Sequence, residues 1–213
     1  MRFIGLLLTV ATVAISMLPS LVKADSEPFT GWFAEQVEPE KKWGFMIFGG
    51  QMSARSFAGT LTPLNGSEYE EIYFVGGALN RYVGHWRYLD FEVEGGAGYQ
   101  FAEGSENDSG QVWVGFYARY DNFPWNDVIK TTIAVNTGLN YSFKKTAFEE
   151  SFSSSQGTKN LLHYLAPEVT FAVPEYDDFE AVFRLHHRSA VNGLFGCTNC
   201  RNNMVTFGIR GKF

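Results

Sequence analysis

The chain has 213 residues, with 17 Lys+Arg against 23 Asp+Glu, 45% hydrophobic residues and two cysteines. That acidic balance argues against nucleic acid as a partner, because phosphate binding needs a basic face. No paired ligand sets for a metal are present, and neither a metal nor a cofactor is expected.

The N-terminus carries Arg2, then an uncharged apolar run over residues 3–18, then Val22-Lys23-Ala24. A charged start, an apolar stretch and a small-residue site read as a secretory signal peptide cleaved after Ala24. The run is shorter than the ~20 residues needed to span a bilayer as a helix. Cleavage leaves 15 Lys+Arg against 23 Asp+Glu, a charge of about −8. Residues 25–41 are expected to form a periplasmic segment, in which residues 29–37 suit a short amphipathic helix or an irregular tail.

From residue 42 onward the dominant period is two, the mark of strands with distinct faces. Residues 42–53 and 70–81 alternate roughly, blurred by Gly49-Gly50 and Gly76-Gly77. Residues 89–101 are clearest: Leu89, Phe91, Val93, Tyr99 and Phe101 share one face, Asp90, Glu92, Glu94 and Gln100 the other. Residues 112–120 repeat the pattern. So do residues 129–143, with Ile133, Val135, Leu139 and Tyr141 facing out and Asn136 and Asn140 in. Residues 161–173, 181–189 and 204–213 complete eight strands. Each is long enough for the 9–11 residues of a tilted membrane strand. The expected fold is all-β, an eight-stranded antiparallel up-and-down transmembrane β-barrel over residues 42–213.

With both termini in the periplasm, residues 81–87, 121–128 and 174–178 become inner turns. Residues 54–68, 102–109, 144–159 and 190–202 become outer loops, the short-and-long asymmetry of outer-membrane barrels. The inward positions include Glu92, Glu94, Glu168, Arg119, Arg184, Arg188 and Arg210, which should pair and plug so narrow a lumen.

Near the C-terminus, the stretch "RLHHRSAVNGLFG" ends strand seven. By parity with Ala181, Phe183 and Leu185, His187 and Ser189 face lipid at the height of the outer leaflet. A His beside a Ser hydroxyl is the minimum arrangement for base-activated nucleophilic attack. The bland alternative is an interfacial height where polar side chains are ordinary.

The signal peptide, the eight strands, this H-x-S and a closing strand ending in Phe213 together resemble the lipid A 3-O-deacylase (PagL-type) barrels. The blocks "DNFPWNDVIKTTIAVNTGLNYS", "LLHYLAPEVTFAVP" and "RLHHRSAVNGLFG" are similar to a proteobacterial branch of that group. The likeness covers most of the mature chain. It implies Ser189 as nucleophile, His187 as base, lipopolysaccharide as substrate and the outer membrane of a Gram-negative bacterium as the location.

Two departures stand against it. The enzymes follow the Ser with Asn, whereas Ala190 follows here and Asn192 comes later. They also orient the His with an acid on the last strand, and no Asp or Glu follows Glu180. A symmetric final hairpin would set Val205 opposite His187 and Asn203 opposite Ser189. Asn203 could orient the imidazole, as Asn does in Cys-His-Asn sites, and His163 is a second substitute.

Cys197-Thr-Asn-Cys200 reads first as a loop-stapling disulfide, with free thiols or a metal as alternatives. "FPWN" (residues 123–126) suits an interfacial aromatic belt. Asn65 and Asn107 match glycosylation acceptors that a bacterial barrel would not ordinarily use. Arg188 and Arg201 are candidates for lipid A phosphates. Two functional classes remain: an esterase acting on lipid A without metal or cofactor, or a non-catalytic envelope barrel. Self-association between copies is left open.

Overall fold

A computed structural model describes residues 39–62, 68–153 and 157–213. The expected signal peptide, the 29–37 segment and Asn65 lie outside the described residues.

Eight antiparallel strands close into a barrel in sequence order: β1 (Trp43–Ser53), β2 (Tyr69–Trp86), β3 (Leu89–Ala102), β4 (Ser109–Tyr120), β5 (Lys130–Ser142), β6 (Leu161–Ala172), β7 (Phe179–Ser189) and β8 (Arg201–Lys212). β1 pairs with β8 from Gly44↔Lys212 to Met52↔Met204, so no edge is left open. Phe45, Ile47, Val75, Val114, Val135, Leu139 and Ile209 stand exposed on the outer wall. An apolar wall of this kind is what hydrocarbon demands of a transmembrane barrel.

The opposite parity fills the lumen in layers. Nearest the short turns lies an ionic layer, in which Arg184 Nη2 contacts Glu94 at 3.0 Å and Glu168 at 2.6 Å. Arg119 reaches Glu168 at 3.2 Å and Glu180 at 3.3 Å, and Arg210 pairs with Glu92. The expected internal pairing of opposite charges is thus present. Above it His186 sits in an aromatic cage, with ring centroids 4.8 Å from Phe74, 4.7 Å from Trp113 and 4.8 Å from Tyr164. Buried Gln100, Gln111, Asn140 and Asn202 form a polar layer above that.

Several boundaries differ from the sequence reading. Residues 81–87 are mostly strand: β2 runs on to Trp86, with a register shift between Tyr82 and Gly84. That bulge breaks the alternation, which is why the segment reads as a turn; the reversal itself is Arg87-Tyr88, with Arg87 at φ 58°. β8 begins at Arg201, three residues before the apolar alternation starts.

Two short helices occupy the long loops. α1 (Phe57–Leu61) follows β1, N-capped by Ser56, whose Oγ accepts from Gly59 N. α2 (Ala147–Phe152) follows β5, N-capped by Thr146. The α2 carboxylate of Glu149 is buried 3.4 Å from the Arg188 guanidinium. Arg188 also donates to the carbonyls of Lys159 and Asn160. It is therefore buried inside the barrel mouth and not free for a phosphate. Burial pushes the Glu149 carboxyl above its ordinary range, against the opposing pull of Arg188.

Candidate functional site

The H-x-S segment lies at the long-loop end of β7. His187 and Ser189 share the outward parity there, because His186 and Arg188 are committed to the lumen. Residues two apart on a strand stand about 6.6 Å apart along it, within mutual side-chain reach. Among the described residues, however, no hydrogen bond joins Ser189 to His187.

The register of the last hairpin differs from the symmetric expectation. His187 faces Asn203, Leu185 faces Val205, and Ser189 faces Arg201. The turn closes through Ala190 N to Cys200 O at 3.1 Å, so β8 starts earlier and slides by two residues. A shift of two preserves which face each side chain occupies. It brings Asn203 beside the imidazole: His187 Nδ1 and Asn203 Oδ1 lie 2.5 Å apart.

His163 is placed differently. It faces Ser189 across β6 and β7, and its Nε2 pairs with Thr137 Oγ1 at 2.9 Å. Of the two substitutes for the missing acid, Asn203 is the one that bonds to His187.

Outward parity does not leave His187 open. It is only 6% exposed, because α1 folds over this part of the wall. The Phe57 ring lies 4.7 Å from the imidazole centroid, and Asn203 Nδ2 donates to the Arg55 carbonyl at 2.7 Å. Ser53 Oγ and Thr60 Oγ1, 3.1 Å apart, tie the helix to the end of β1. Of these residues, Ser53, Arg55, Phe57 and Thr60 were not singled out from the sequence. The only local signal was Ser56 ahead of a short apolar run, a helix N-cap without any mark of where the helix would dock.

Ser189 remains half-buried. The N–H of Ala190, the residue after it, is spent on Cys200 O and is not available to an oxyanion. Opposite Ser189, the Arg201 guanidinium stacks over Phe152 of α2 at 4.3 Å. Cys197 and Cys200 are disulfide-bonded, as favoured from the sequence, and pack with Leu162, Ala190 and Phe195. At the opposite end, Phe123 and Trp125 stack at 4.8 Å, and Trp125 Nε1 donates to Thr131 Oγ1. Asn107 Oδ1 accepts from Phe148 N and is a structural part of its loop.

No protein-family model and no curated protein matches the chain. Among solved structures it is similar to the outer membrane enzyme PagL, at 12% identity and TM-score 0.50, covering 80% of this chain and 99% of that one. It is also similar to Neisserial surface protein A, at 14% identity and TM-score 0.47, covering 80% and 97%. The likeness to PagL is one of barrel fold.

Proposed function

We propose that this barrel is an outer-membrane esterase that removes an ester-linked acyl chain from lipopolysaccharide in the outer leaflet. The observation that carries the reading is the His187–Asn203 hydrogen bond on the exterior wall, two residues from Ser189. A neutral imidazole held at Nδ1 by an acceptor presents Nε2 as a base. Ser189 Oγ would attack the acyl carbonyl carbon while Nε2 takes its proton. The departing sugar oxygen would then receive that proton, and water would hydrolyse the acyl-enzyme.

Arg201, opposite Ser189, offers guanidinium donors at the height where the oxyanion and the substrate's headgroup would sit. Nucleophile–base hydrogen bonds are often absent until substrate binds, so the missing Ser189–His187 contact is compatible with this chemistry. The membrane setting is supported by the apolar outer wall and by the fold shared with PagL, which is described as an outer membrane enzyme.

A second reading is a non-catalytic envelope barrel. It is favoured by the burial of His187 under Phe57 and by the commitment of the Ala190 N–H to Cys200. Mass spectrometry of lipid A from cells expressing the protein or Ser189→Ala separates the two. Loss of one hydroxyacyl mass that depends on Ser189 is the expected result. Unchanged lipid A, with the barrel folded in the outer membrane, would leave the second reading.

A further inference from the structure

We infer that the backbone carbonyl of Arg55 is a positioning element of the site: it fixes the Asn203 amide and, through it, the tautomer of His187. The inference rests on the esterase reading for its purpose, but its chemistry can be tested without any turnover.

An asparagine side chain is ambiguous as an orienting group. Its oxygen accepts and its nitrogen donates, so it can bind either form of a neutral imidazole. With Oδ1 toward Nδ1, the ring carries its proton on Nδ1 and leaves Nε2 free as a base. With Nδ2 toward Nδ1, the proton sits on Nε2 and the ring cannot take one from Ser189. An aspartate would not pose the problem, because both of its oxygens accept. Replacing the usual acid by Asn203 therefore creates a need for a further group to choose the amide's direction.

Arg55 supplies that group. Its carbonyl lies 2.7 Å from Asn203 Nδ2. A carbonyl oxygen only accepts, so the amide must turn its NH2 toward it and its Oδ1 toward His187 Nδ1, 2.5 Å away. The opposite flip would set acceptor against acceptor at Arg55. The two residues are 148 positions apart in sequence, and closure of the barrel between β1 and β8 brings them together.

The carbonyl is itself held. Arg55 N donates to Ser53 Oγ at 3.3 Å, and Thr60 N donates to Ser56 O at 2.9 Å. The Phe57 ring, 4.7 Å from the imidazole, shields the pair. The loop after β1 thus completes a chain running Arg55 C=O, Asn203 amide, His187 Nδ1–H, which puts the unprotonated ring nitrogen at Nε2.

The test is 15N NMR of histidine-labelled barrel, refolded in detergent micelles at pH 8, with the His187 signals identified by their loss in His187→Gln. The expected spectrum has His187 neutral, with a protonated Nδ1 and a bare Nε2. Replacing residues 54–62 by a Gly/Ser link of equal length should raise the Nε2–H form about tenfold, the change expected for one lost net hydrogen bond. Asn203→Asp opposes a carboxylate to the Arg55 carbonyl, so a nitroxide on Ala58→Cys should become mobile in that background. An Nε2–H or doubly protonated His187 in the wild-type barrel would overturn the proposal. So would a tautomer unchanged by the loop replacement, or a nitroxide that stays immobile in Asn203→Asp. Unchanged lipid A in cells would sink the esterase reading alone, whatever tautomer the spectrum shows.

Discussion

Replacing Arg184 by Met removes the cation on which the lumen's charge balance turns. Its guanidinium donates to Glu168 Oε2 from Nε at 2.9 Å and from Nη2 at 2.6 Å. It donates to Glu94 from Nη1 at 3.2 Å and from Nη2 at 3.0 Å. The two carboxylates differ in what they would keep. Glu168 retains Arg119 at 3.2 Å and Arg210 at 3.9 Å. Among the described residues, Glu94 keeps neutral donors alone: Asn80, Trp113, Tyr117 and Asn136. Arg184→Met therefore leaves one fully buried carboxylate without a cation. Breaking a buried pair in this way costs about 3–5 kcal/mol, whereas neutralising both partners is much cheaper. Arg184→Met/Glu94→Gln restores the balance of sign and should recover more than half of the loss. The assay is reversible urea unfolding in detergent, with midpoints compared at unchanged slope. A single variant within 1 kcal/mol of wild type, or a double variant no better than the single, would refute the reasoning.

Gly96 faces the Trp113 indole, and a Cβ there would meet Trp113 Cζ2 at 2.2 Å. Gly96→Val should push the indole off Glu94, cost about 1–3 kcal/mol and change the near-ultraviolet circular dichroism. Because burial raises the Glu149 carboxyl above its ordinary value of 4.5, the docked α2 loop binds a proton that the released loop does not. Docking should therefore strengthen as pH falls through the raised value toward the ordinary 4.5. A nitroxide on Ser151→Cys should lose mobility over that range, and Glu149→Gln should flatten the response. Cys197→Ser opens a loop closed over a sequence separation of only three. It should cost about 2 kcal/mol at most, with hydrogen exchange rising within residues 190–200 and not in the strands.

The barrel was legible because a membrane strand must obey two solvents at once. Apolar Val112, Val114 and Phe116 outside and Glu94, Arg119 and Arg184 inside can share one wall only with a period of two. That constraint set the number of strands, their faces and the outward parity of His187 and Ser189, all from local alternation. It also foresaw the pairing of charges in the lumen. Local alternation is silent where strands bulge, so the run of β2 through Gly84 to Trp86 read as a turn.

Register and loop docking were decided by tertiary structure alone. Parity is unchanged by a slip of two residues, so the sequence could place Asn203 on the outer face but not choose between His187 and Ser189 as its neighbour. The choice came from how residues 190–200 fold, closed by Ala190 N–H on the Cys200 carbonyl. The burial of His187 under Phe57, and the contact of Asn203 with the Arg55 carbonyl, depend on barrel closure joining segments 148 residues apart. A period of two records which solvent each side chain meets. It carries no information about which distant backbone carbonyl will stand 2.7 Å from an amide, because that contact is set by strand pairing and loop shape together.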